Sequence, residues 1–91
     1  MLKRTPVNGT KTKVTFSLPI DDSTPSVSVV GDFNGWQPGK HELTPRRNGV
    51  RSVTLTLPSG EHRFRYLGTG GVWLDDAEAD RIDAQGSVLV V

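Results

Sequence analysis

The 91-residue chain contains no cysteine. Disulfides, thiolate catalysis and zinc–thiolate sites are therefore excluded, which fits a reducing, cytoplasmic setting. An excess of one charge is also missing. Eleven Lys and Arg stand against ten Asp and Glu, a formal net charge of +1. That balance gives no general attraction to nucleic acid or to an anionic membrane. No apolar run approaches the ~18 residues of a membrane-spanning helix. The leading MLKRTPVNGTKTKV lacks the apolar centre of a signal peptide. Histidine is scarce: only His41 and His62 are present, with no nucleophile motif such as G-x-S-x-G beside either. A sustained helical period is absent too. The expectation is a soluble, cytoplasmic domain that is not an enzyme and carries no cofactor or metal.

What is present is β pattern. At this length, with 34% hydrophobic residues, the chain is one domain with a single modest core. Residues 1–12 are polar and read as a flexible lead-in; residues 13–91 carry the domain. KVTFSL alternates, with Val14, Phe16 and Leu18 on one face. SVSVVG, RSVTLTL, EHRFRYL, VWL and SVLVV read as further strands, and HELTP as a short edge strand. In EHRFRYL, Phe64 and Tyr66 share one face with His62, while Arg63, Arg65 and Leu67 share the other. Turn signals such as Asn48-Gly49 separate the runs. The pattern predicts an all-β antiparallel sandwich of about seven short strands.

Two features look like chemistry and read more simply as structure. DDAEAD gathers Asp75, Asp76, Glu78 and Asp80, but lacks the central Gly and terminal Glu of a calcium loop. It reads as an acidic loop, with Asp80 or Asp83 available to pair with an Arg. GTGG does not lead into a helix and reads as a hairpin tip. The tryptophans are harder to place. Trp36 lies in GDFNGWQPGK, a stretch of turn residues, and Trp73 follows Gly70-Gly71. Indoles outside the alternating core pattern either fold back as lids or form a stacking platform for flat apolar faces such as those of sugars.

VSVVGDFNGW, LPSGEHRFRYL, GGVWLDDAEADRI and the closing GSVLVV together resemble the family-48 carbohydrate-binding modules. These stand ahead of isoamylases, pullulanases and branching enzymes and in the β subunit of AMP-activated protein kinase. The resemblance covers residues 13–91 and implies an immunoglobulin-like, early-set sandwich. It also implies a non-catalytic platform for α-1,4-glucan, the glucan of glycogen and starch. Trp36 and Trp73 take the two stacking positions, Arg65 takes that of a ligand-binding Lys, and Ser87 that of a Thr. Asn34 and Arg63 lie beside them as further candidates. Two other contact positions hold Gln85, where the family has Leu, and Leu89, where it has Asn. A competing reading keeps the fold without the sugar site, as a packing or protein-interaction module for a glycoside hydrolase or kinase-like partner.

Overall fold

The computed structural model describes residues 2–91. Its elements are nine strands: β1 (Leu2–Asn8), β2 (Lys11–Pro19), β3 (Val27–Gly31), β4 (Thr44–Pro45), β5 (Val50–Pro58), β6 (Glu61–Gly68), β7 (Val72–Leu74), β8 (Arg81–Asp83) and β9 (Gly86–Val90). One sheet runs β1-β2-β5-β4. The other runs β3-β6-β9-β8, with β7 added to the far half of β6 beyond β9. All pairings are antiparallel. The expected all-β sandwich is the architecture found.

Alternation explains what the two sheets bury. Val14 and Phe16 on β2, Leu57 on β5, Val27 and Val29 on β3, Phe64 and Tyr66 on β6, and Leu89 on β9 meet between the layers. Phe16 packs edge-on against Phe64 at 5.1 Å, and Phe64 against Tyr66 at 5.7 Å. Such tilted pairs place a positive ring edge on a negative face.

Three differences from the sequence reading have physical causes. Residues 2–8, expected within a lead-in, form β1, which pairs with β2 from Leu2 opposite Phe16 to Asn8 opposite Lys11. β1 buries almost nothing, so no apolar period marks it; its signal is Asn8-Gly9. Asn8 Oδ1 accepts from both the amide and the hydroxyl of Thr10 and closes the turn. β8, the second addition to the expected seven strands, lies inside the polar connection, and all three of its residues are exposed. The HELTP segment divides between the layers. His41 and Leu43 bond to the free edge of β3, while Thr44 and Pro45 pair with β5.

Candidate functional site

β6 places three side chains on the outer face of the five-stranded sheet. Phe64 and Tyr66 point into the core, so Arg63, Arg65 and Leu67 point out. Register carries that face across the neighbours. Trp73 stands opposite Leu67, Ser28 flanks Leu67 from β3, and Val30 flanks Arg65. Trp73 is 53% exposed and Trp36 38%. Neither indole stacks on another ring among the described residues.

Trp36 lies on the loop after β3. Gly31 has no room for a side chain: a Cβ there would come within 2.4 Å of the Arg63 carbonyl. The Gly31 carbonyl accepts from the Asn34 and Trp36 amides, which winds the loop into a tight turn. Gly35 and Trp36 both adopt left-handed backbone, with φ of 66° and 58°. Further on, the Gly39 amide donates to Ser28 Oγ at 2.9 Å and fastens the loop onto the outer side of β3. A shallow groove of about 330 Å³ results, with Ser26 and Ser28 along its floor. One bank is Pro38, Gly39 and Glu42, from the Trp36 loop. The other is Leu67, Gly68, Thr69 and Gly71, in the hairpin leading to Trp73. SVSVVG reads as a strand, but nothing in the sequence marks the loop as folding over its Ser28.

The cations on this face are tethered. Arg65 Nη2 donates to the Ala84 carbonyl at 3.1 Å, and its Nε lies 3.5 Å from Asp75 Oδ1. Its side chain crosses Gly86, where a Cβ would stand 3.1 Å from Arg65 Cγ. Arg63 Nη1 donates to both oxygens of Asp83 at 2.7 Å. That bond, followed by the Gln85 amide, holds the Asp83 carboxyl below its usual range, and the same pairing raises Arg63. Asp80 likewise pairs with Arg4 at 2.9 Å. The acidic loop is therefore committed to structural bonds, as the sequence reading anticipated for Asp80 and Asp83.

Two of the expected ligand contacts, Ser87 and Asn34, are buried and hydrogen-bonded within the protein. Ser87 is fully buried; its hydroxyl donates to Asp75 Oδ1 and accepts from the Asp76 amide. Asn34 is 4% exposed. Its Oδ1 accepts from the Gly31 amide, and its Nδ2 donates to the Val29 carbonyl and lies 2.9 Å from His41 Nδ1. Both side chains point inward with their polar atoms engaged, so neither faces the groove. Leu89 belongs to the core, and Gln85 sits exposed on the β8–β9 turn.

The buried side of the same region is a polar network. The Tyr66 hydroxyl donates to Asp76 Oδ2 at 2.7 Å. Burial, followed by that bond, pushes the phenol far above its ordinary range. Burial also works to raise Asp76. Hydrogen bonds to its charged form, those from Tyr66 and the Glu78 amide among them, outweigh burial and hold it below the usual carboxylate value. His62, on the core-facing side of β6, lies 2.8 Å from the Pro58 carbonyl and 3.6 Å from Asp32, a half-buried structural histidine as expected.

A two-sheet antiparallel sandwich that leaves two indoles exposed fits a carbohydrate-binding module. Residues 12–91 match the family described as the glycogen recognition site of AMP-activated protein kinase, and the chain belongs to that family. Over 40 residues it is 40% identical to the 1,4-alpha-glucan branching enzyme GlgB 2 of Xanthomonas campestris pv. campestris, covering 44% of this chain and 6% of that enzyme. Over 41 residues it is 39% identical to GlgB of Thermosynechococcus vestitus, covering 45% and 5%. An amylopullulanase of Thermoanaerobacter thermohydrosulfuricus is 35% identical over 65 residues, 67% of this chain and 4% of that enzyme. The chain thus spans 4–6% of the length of these relatives.

Proposed function

We propose that the chain is a non-catalytic module that binds α-1,4-glucan on the outer face of the five-stranded sheet. Glucose rings stack on Trp36 and Trp73, and Arg65, held by Asp75 and Ala84, meets sugar hydroxyls between them. The observation that carries this reading is that both tryptophans stay exposed, Trp36 at 38% and Trp73 at 53%. The groove lies between the segments that follow Trp36 and precede Trp73, though neither indole lines it. Membership in a glycogen-recognition family supports the same ligand. Arg63 is the secondary cation, since Asp83 already occupies it. A shallow, hydrated face gives weak binding, with Kd of roughly 0.1–1 mM.

The test is a titration with maltoheptaose and β-cyclodextrin, read by calorimetry and indole fluorescence. Trp73→Ala and Trp36→Asn are run beside the parent, because Asn tolerates the left-handed backbone at position 36. Saturable binding lost in both folded variants is expected. A second reading, a packing domain, draws on the exposed Val72, Leu74 and Ile82 beside the same sheet edge. No response to either sugar at ~10 mM, weaker than about 3 kcal/mol of binding, would move the function to that packing role.

A further inference from the structure

The outer face of the five-stranded sheet carries three guanidinium groups, and each has its own carboxylate. Arg63 donates to both oxygens of Asp83 at 2.7 Å, Arg81 pairs with Glu61, and Arg65 Nε lies 3.5 Å from Asp75 Oδ1. Arg65 is the one that the proposed platform uses.

A guanidinium offers five N–H donors and holds a phosphate or carboxylate best through a fork of two nitrogens. In Arg65 the fork of Nε and Nη2 is closed to a ligand. Nε is buried and makes no hydrogen bond, with Asp75 before it, and Nη2 donates to the Ala84 carbonyl at 3.1 Å. Gly86 lies against the side chain; a Cβ there would stand 3.2 Å from Nε. Asp75 is anchored in turn, because its Oδ1 accepts from the buried Ser87 hydroxyl. What Arg65 can still offer is Nη1, which has no partner among the described residues, and the second proton of Nη2. These are donors for sugar hydroxyls, on a charge that Asp75 already balances.

The groove beside β3 carries charge of one sign. Among the described residues its only charged lining residue is Glu42. Glu42 is exposed and pairs opposite outward-facing Ser28. No cation of the described residues forms an ion pair with it. Lys40, two residues earlier, does not line the groove. A phosphate or carboxylate on a sugar here would meet one unmatched carboxylate and cations that are already matched. A neutral ring meets hydroxyls and open N–H groups.

We propose that this face is specific for uncharged glucan, and that Asp75 and Glu42 exclude phosphorylated or acidic sugars from it. This rests on the reading that the face binds glucan. Asp75 is a positioning residue that acts through Arg65, by occupying Nε and balancing the charge. Glu42 acts by direct repulsion from the bank of the groove.

Affinities for maltoheptaose and for maltoheptaose bearing a 6-phosphate are compared at neutral pH for the parent, Asp75→Asn, Glu42→Gln and the double variant. Asn and Gln keep the shape of each acid and remove its charge, and the oxygen of Asn can still accept from Ser87. In low salt the parent should bind the phosphorylated sugar at least about fivefold more weakly than the neutral one, the factor for one like charge a few ångströms away in water. High salt should narrow that gap. Each single variant should narrow it in low salt, and the double variant should close or reverse it. Equal affinities in the parent overturn the proposal. So does a ratio that neither substitution moves, which is what a merely structural Asp75 would give, since it would weaken both sugars alike. Inorganic phosphate without sugar, at constant ionic strength, reads the electrostatics separately through the Arg65 Nε–H signal in NMR. The parent should show no saturable shift up to ~30 mM phosphate, and the double variant should show one. That gain supports the exclusion even if neither sugar binds, an outcome that rejects the platform reading alone. A phosphate shift in the parent, or none in the double variant, rejects the exclusion whatever the sugars do.

Discussion

Trp36 holds a conformation that a bulky residue seldom adopts. Left-handed backbone costs a non-glycine residue about 1–2 kcal/mol, and strain of this kind persists only where the surroundings over-determine it. Here they do: the Gly31 carbonyl, the Asn34 side chain and the Gly39–Ser28 bond leave the loop no alternative. Beneath the platform, Tyr66 and Asp76 form a second over-determined point. Tyr66→Phe should cost about 1–3 kcal/mol in urea unfolding, because it removes a donor from a buried carboxylate. Folding lowers the Asp76 pKa, so its stabilisation is complete above the unfolded value of ~3.9 and fades as pH falls through the folded value. The Asp76→Asn protein should show a shallower loss of stability between about pH 5 and 2. A limb as steep as the parent's would assign the acid sensitivity to other carboxylates. The sequence exposed these roles unevenly. Trp36 stood out because turn residues surround it. Ser87 and Asn34 did not, since a polar letter carries no sign of which wall it faces. Ser87 points inward only because Val88 takes the outward place opposite Arg63.

Strands announce themselves through what they bury. β2, β3, β5, β6 and β9 alternate or run apolar because the layer between the sheets is dry, and all were legible. β1 and β8 bury almost nothing and were legible only as polar chain. β4 is two residues long, and no local pattern reveals that residues 41–45 change sheets. β1 also has a protective task. It covers the edge of β2, and its own outer edge carries Pro6, Lys3 and Arg4, residues that blunt edge-to-edge pairing. Removal of residues 2–8 should leave the core folded yet expose a nine-residue edge strand. Light scattering should then show association rising with concentration. A truncated chain that stays monomeric would mean that Lys11 and Lys13 alone suffice to guard that edge.

At the scale of the whole molecule, the two outer faces differ in kind. The four-stranded sheet turns out Lys3, Lys11 and Lys13 among Thr15, Ser52, Thr54 and Thr56, beside a groove of about 640 Å³ whose charged lining is Lys3, Arg46 and Glu78. The five-stranded sheet turns out Trp73 and guanidinium groups already matched to carboxylates. A neutral glucan on the second face should bind with nearly the same affinity in 50 and 500 mM salt, within about twofold, because no free charges are brought together. A steep fall with salt would mean that binding disturbs the ion pairs of this face, Arg63–Asp83 or Arg65–Asp75 among them. The arrangement of β6 has a consequence for how such a module changes over generations. Its even-numbered letters, Phe64 and Tyr66, hold the two sheets together; its odd-numbered letters, Arg63, Arg65 and Leu67, meet whatever lies outside. Two messages are interleaved in eight residues and are read by different surroundings. What the domain touches can therefore be rewritten at every second position while the text that folds it stays the same.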